Sequence, residues 1–153
     1  MKKITPFLWF DDQAEDAMRF YVSVFKNSKV IETNPGPNGK TSSVRFEVDG
    51  QELIGLNAGP QFKFTEAISL FVSCKDQAEV DELWAKLSAG GGEEGSCGWV
   101  KDKFGLWWQI VPTALGELMG DPDRAKAKRV VDAMLQMKKI DVASLRRAYD
   151  APS

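Results

Sequence analysis

The chain predicts an α+β fold: two tandem βαβββ modules forming a curved mixed sheet, followed by C-terminal helices. Three observations carry this. The tetrapeptide DQAE occurs twice, from Asp12 and from Asp76, 64 positions apart. Each copy follows an apolar run and opens a helical pattern, so Leu8 falls opposite Val72 and Phe20 opposite Trp84. The turn glycines Gly50 and Gly105 are only 55 apart, so the second copy is shorter in its middle hairpin, where NPGPNGK stands in the first. A repeat that loses residues only at a loop tip points to duplication.

Residues 4–10 alternate as a strand does, with Thr5, Phe7 and Trp9 on one side and Pro6, Leu8 and Phe10 on the other. Pro6 lacks a donor, which suits an edge. Asp11 or Asp12 is expected to cap the next helix. Its apolar stripe runs through Ala14, Ala17 or Met18, Tyr21, and Val24 or Phe25. KNSKVIET reads as a turn and a strand, and TSSVRFEVDGQELIGLN as two strands around Asp49-Gly50, a dipeptide that tolerates positive φ.

The second half repeats the order. AISLFVSC is a strand, and a helix follows with Val80, Leu83, Trp84 and Leu87 on one face, ended by Gly90. CGWVKDKFGLWWQIVP is a strand pair around Phe104-Gly105, with DKFG as its turn. Beyond the repeat, Asp121-Pro122 is expected to start a helix carrying Val130, Val131, Met134 and Leu135. A shorter helix from Asp141 carries Leu145 and Tyr149. The chain reads as one domain, 1–153. Within it 4–58 form the first module, 66–113 the second, and 120–150 the helical extension.

Composition narrows the function. A chain of 153 residues can bury roughly 70% of its unfolded surface, enough for a core without staples. Net charge is −2 and the basic residues are dispersed, which disfavours nucleic acid. Lys138, Lys139, Arg146 and Arg147 read as solvated helix faces. No run approaches the ~20 apolar residues of a membrane span, and no secretory leader is evident. The expectation is a cytoplasmic protein with no membrane partner, in which Cys74 and Cys97 are free thiols.

A lone module leaves one sheet face open, and two modules are expected to share a cleft there. If Leu8 and Phe10 pack under the helix, Thr5, Phe7 and Trp9 face the cleft. The same parity adds Ser69 and Phe71, then Trp107 and Gln109 on the last strand, with Cys97 and Trp99 from the strand before and Lys101 continuing it. Asn57 is included because it is polar where an apolar residue would serve. This set suits an aromatic or otherwise flat, mostly neutral ligand held by stacking and a few hydrogen bonds. Glu52, Glu66 and Asp102 read as structural or solvated carboxylates. The chain has no histidine, so a Ser–His or Cys–His nucleophile is not available. The glycine cluster AGGGEEGS follows a helix and enters a strand, which suits a helix end rather than a nucleotide loop.

The stretches ITPFLWFDDQAEDAMRFYVSVF, GQELIGLNAGPQFKFTEAISLFV, LSAGGGEEGSCGWVKDKFGLWWQIVPTAL and AMLQMKKID resemble the PhnB-like family. Its members often carry the label 3-demethylubiquinone-9 3-methyltransferase. The family lies within the vicinal oxygen chelate superfamily of glyoxalases, bleomycin-resistance proteins and extradiol dioxygenases. The resemblance implies the glyoxalase fold, a homodimer, and a divalent metal held on the cleft strands. The positions matching the metal ligands are Thr5, Ala67 and Gln109, and Gln61 stands where relatives often have a His. These side chains do not supply the anionic or imidazole donors an ion needs. The expectation is therefore no metal, no cofactor, and a small-molecule-binding protein for an aromatic or hydrophobic ligand. The alternative is a lyase, isomerase or transferase of the same superfamily, with or without a metal.

Overall fold

Strand alternation starts the fold: Leu8 and Phe10 are buried, Phe7 is exposed and Trp9 is half-buried. The computed structural model describes residues 2–152. They divide into two compact units, the first ending at Phe64 and the second starting at Thr65.

In the first unit β1 (Phe7–Phe10) is followed by α1 (Ala14–Val24), β2 (Lys29–Pro35), a short 3-10 turn, β3 (Thr41–Val48) and β4 (Gln51–Asn57). The sheet order is β1-β4-β3-β2, with β1 parallel to β4 and the other neighbours antiparallel. Pro6 stands just ahead of this edge strand, and its carbonyl accepts from Ile54 N–H at 3.1 Å. Ala14, Ala17, Met18, Tyr21 and Val24 of α1 are buried, as are Val44, Phe46 and Val48 of β3. Each large apolar side chain so buried contributes about 1.5–3 kcal/mol. Gly55 lets helix and sheet approach. A Cβ there would lie 3.0 Å from Val44 Cγ2, 3.3 Å from Phe10 and 3.4 Å from Ala14 Cβ. The hairpin at Asp49-Gly50 forms as expected, both residues with positive φ (47° and 78°).

The cap of α1 differs from expectation. Neither Asp11 nor Asp12 caps it; Gln13 occupies the position and makes no side-chain cap bond. Asn57 Oδ1, at the end of β4, accepts from Ala14 N–H at 2.8 Å instead.

The second unit repeats the order with β5 (Ser69–Cys74), α2 (Gln77–Ser88), β6 (Glu93–Glu94), β7 (Trp99–Lys101) and β8 (Trp107–Pro112). Its strands run β5-β8-β7-β6, with β5 parallel to β8, the first unit's topology copied. The mixed sheet expected from the sequence thus comes as two four-stranded sheets, one per module. Here Asp76 does cap its helix, accepting from Glu79 N–H at 2.9 Å. Val80, Leu83, Trp84 and Leu87 are buried on α2, and Val100, Trp108 and Ile110 on the strands. Asp102 holds the β7–β8 turn, accepting from the N–H groups of Phe104 (2.8 Å) and Leu106 (3.1 Å).

Three helices follow: α3 (Thr113–Met119), α4 (Arg124–Met134) and α5 (Val142–Asp150). The first is an element the sequence reading passes over. The second starts later than Asp121-Pro122 predicts, because Asp123 is the residue that accepts from Ala125 and Lys126 N–H. Asp121 instead accepts from the Tyr149 hydroxyl at 2.6 Å. Asp141 caps α5. Val130, Ile140 and Leu145 form a core with Val111 and Leu115, against which Met134, Met137 and Tyr149 pack. Val130, Met134 and Met137 thus pack within their own unit, while Leu135 stays 54% exposed. Gln77 ties the start of α2 to this tail: its amide donates to Ile140 O (3.0 Å) and accepts from Val142 N–H (2.7 Å). Among the described residues no helix is long and apolar enough to cross a membrane.

Candidate functional site

Parity decides which side chains a sheet leaves open. Across β5 and β8 the pairs Ser69–Trp107 and Phe71–Gln109 alternate with Leu70–Trp108 and Val72–Ile110. Trp108 and Ile110 are buried, which leaves the first two pairs on the open face, where Trp99 of β7 pairs with Gln109. Gln109 Nε2 donates to Ser69 Oγ at 2.9 Å, so the amide is oriented rather than free to rotate. The Trp99 and Trp107 rings meet at 6.4 Å, inclined at 64°. Lys101 Nζ lies 5.8 Å from the Trp107 ring and pairs with Glu93 at 3.4 Å.

A groove of about 620 Å³ lies on this face. Phe71, Cys97, Trp99 and Gln109 form its floor; Leu115 and Met119 of α3, with Met134 of α4, line it from the helices. Phe71 is 61% exposed, high for a phenylalanine on a sheet. Cys97 sits in the turn before β7, not on a strand as expected, with φ 59°. Its N–H donates to Met137 O and the next N–H, of Gly98, to Lys138 O, both at 2.8 Å. Gly98 suits the position, with φ 85°, and a Cβ there would lie only 3.0 Å from the Ile110 carbonyl oxygen. The two thiols differ sharply. Burial, then the Glu79 charge, pushes Cys74 up to about 12, whereas Cys97 opens on the groove.

The first unit also has an open face. Phe7 pairs with Ile54 and Trp9 with Leu56, so these four share it. The Trp9 indole N–H donates to Gly59 O at 2.9 Å, and its ring meets Phe62 edge-on at 4.9 Å. Thr5 precedes β1, and its hydroxyl donates to Lys2 O at 3.3 Å. On the same face Arg45 bridges Glu32 (2.9 Å) and the buried Glu52 (2.7 Å). The guanidinium holds Glu52 below the usual carboxylate range, and the two carboxylates raise Arg45. A smaller groove of about 290 Å³ lies beside this cluster, lined by Asn34, Ser43 and Ile54. Glu52 is thus a paired ion on the open face rather than a solvated carboxylate.

Asn57 is not on that face. It pairs with Phe10, on the side that α1 covers, and its amide accepts from Ala14 and donates to Thr41 O (3.1 Å). Of the expected residues, Ser69, Phe71, Cys97, Trp99, Trp107 and Gln109 are collected in the second unit, and Thr5, Phe7 and Trp9 lie in the first. The reading missed Ser73 and Val111, although both continue the parity of Phe71 and Gln109. It missed the groove's helical wall because α3 was not recognised, although Leu115 and Met119 stand at helical spacing.

The ion implied by the superfamily resemblance does not fit these donors. The chain has no His, and the matching positions hold Thr5, Ala67 and Gln109, of which only the Gln109 amide oxygen is a ligand of any strength, and it is neutral. Among the described residues no three His, Cys, Asp or Glu side chains converge. A divalent cation needs such groups to replace its water.

Comparison with known proteins places the chain. The family model for 3-demethylubiquinone-9 3-methyltransferase matches residues 2–111, stopping where the C-terminal helices begin. A PhnB protein from Bacillus cereus is 31% identical, covering 72% of this chain and 99% of that one, with a TM-score of 0.68. The fold is shared with protein PA1353 from Pseudomonas aeruginosa (17% identity, 73% and 98% coverage, TM-score 0.60). It is shared too with FosX, a fosfomycin resistance protein from Listeria monocytogenes solved with Mn(II) and sulfate (16%, 84% and 99%, 0.54). No curated protein matches. The chain is a member of the 3-demethylubiquinone-9 3-methyltransferase family, to which the PhnB protein of Bacillus cereus is also assigned.

Proposed function

We propose that this protein binds a flat, aromatic or hydrophobic small molecule, without a metal, in the groove of the second sheet. The observation that carries the reading is Phe71, 61% exposed at a groove it shares with Trp99, Met119 and Met134. Beside them Gln109 is held by Ser69, a fixed polar group among apolar walls. Stacking and thioether contacts would supply affinity, and the oriented amide would set the ligand's register.

The family name points to methyl transfer, but the side chains support binding more directly. The run Gly90–Gly92 serves the chain's path: Gly90 and Gly91 have φ 68° and 111°, and a Cβ on Gly92 would lie 2.7 Å from Lys101 O. Calorimetric titration with a panel of aromatic metabolites tests the proposal, with elemental analysis of the purified protein beside it. Saturable binding at a metal content far below one per chain is the expected result. Absence of binding across the panel, or binding that needs stoichiometric Zn, Ni, Fe or Mn, overturns it.

The same reading takes the chain as a cytoplasmic homodimer with no nucleic-acid or membrane partner. Ile4, Phe7 and Phe62 are 85%, 57% and 65% exposed, and a second copy would withdraw them from water. Light scattering coupled to sizing chromatography reads this directly; a monomer at all concentrations overturns the dimer.

A further inference from the structure

The groove's charge is as informative as its shape. Among its lining residues the one formal charge is Glu117, on the last turn of α3. A carboxylate at a helix C-terminus faces the negative end of the dipole and is disfavoured there. Glu117 is exposed and has no ion pair among the described residues to offset this. Two basic groups of this unit are engaged elsewhere. Arg124 donates to Met119 O and Asp121 O, closing the end of α3. Lys101 pairs with Glu93. The rest of the wall is what a soft cation prefers: the faces of Trp99 and Phe71, and the polarizable sulfurs of Met119 and Met134.

From this we infer that the ligand of the groove is a planar aromatic cation, stacked on Trp99 and Phe71 with its charge answered by Glu117. The inference rests on the binding function proposed above and adds the ligand's charge class. It also places the charge reader on α3, beyond the residues that the family model matches.

Three tricyclic probes of similar outline separate the possibilities at neutral pH: proflavine as cation, phenazine as neutral, and anthracenecarboxylate as anion. Each is titrated into the full chain while tryptophan emission is followed. Proflavine is expected to bind about tenfold more tightly than the anion, a preference that shrinks as salt is added. Glu117→Gln is expected to weaken proflavine about threefold and leave phenazine unchanged. Glu117→Lys is expected to reverse the order of cation and anion. Both substitutions are at an exposed position, and circular dichroism checks that the fold is retained. If phenazine binds but proflavine has no advantage, or if Glu117→Gln weakens both alike, the charge assignment fails while the binding function stands. If none of the three binds, the binding function fails and takes this inference with it.

Discussion

Asp102 Oδ2 accepts the indole N–H of Trp108 at 2.8 Å, and both residues are buried, at 1% and 2% exposure. The other oxygen of the same carboxylate holds the turn ahead of β8. One acid thus fixes both the hairpin and the tryptophan packed beneath α2. Replacing it by Ala strands at least one buried donor. Asp102→Ala is expected to cost about 3 kcal/mol in urea denaturation. Pairing it with Trp108→Phe should recover part of the loss, because the orphaned indole N–H is then gone. A cost below about 1 kcal/mol would show that the carboxylate is not the clasp described.

Gly55→Ala tests the approach of α1 to its sheet. The added methyl would press on Val44, Phe10 and Ala14 together, so no single neighbour can give way cheaply. A loss of about 1–3 kcal/mol is expected. An unchanged thermal midpoint would mean that the helix seat is softer than it looks.

Asn57 separates capping from ligand contact. If it is the cap of α1, Asn57→Ala lowers stability by about 1–2 kcal/mol and leaves ligand affinity within twofold. A large fall in affinity at unchanged stability would return Asn57 to the binding set.

The thiols give a pH signature. Cys74 stays protonated in the folded chain to about 12, against an ordinary value of 9.0. Below pH 9 both folded and unfolded thiols hold their proton, and Cys74 adds no slope. Above it the unfolded thiol ionises first, so stability falls with rising pH until the folded thiol also titrates near 12. Cys74→Ala should flatten that alkaline fall. In the native protein a disulfide reagent should label Cys97 and reach Cys74 only on unfolding.

Phe71 probes the groove itself. Because it is 61% exposed, Phe71→Ser should leave stability within about 0.5 kcal/mol. Loss of its stacking face should weaken an aromatic ligand about tenfold. Equal affinity in the variant would move the ligand off this face.

Much of this was legible in the chain. The offset between the two DQAE copies carries the duplicated topology, and period-two alternation sorts Trp107 and Gln109 from Trp108 and Ile110. Those signals are local and repeat. What stayed hidden depends on contacts distant in sequence. Asp12 has the chemistry of a cap, yet Asn57, 43 residues away from Ala14, takes that role. Arg45 reads as one more strand-surface cation until cross-strand register sets it between Glu32 and Glu52. Thr113–Met119 is a short helix directly after a strand, without the loop that would announce it, so the groove's wall went unread.

The Gln77 clasp has a consequence for the chain's history. In the first copy of the repeat the equivalent glutamine, Gln13, lies at the mouth of α1 and makes no side-chain cap bond. In the second it grips the backbone on both sides of Asp141. The same residue type at the same place in the repeat thus does different work in the two copies, and only the second fastens the C-terminal helices. Clipping that tail away would strip the cover from Val111 and Leu115 and leave a sticky remnant rather than a tidy ancestral half.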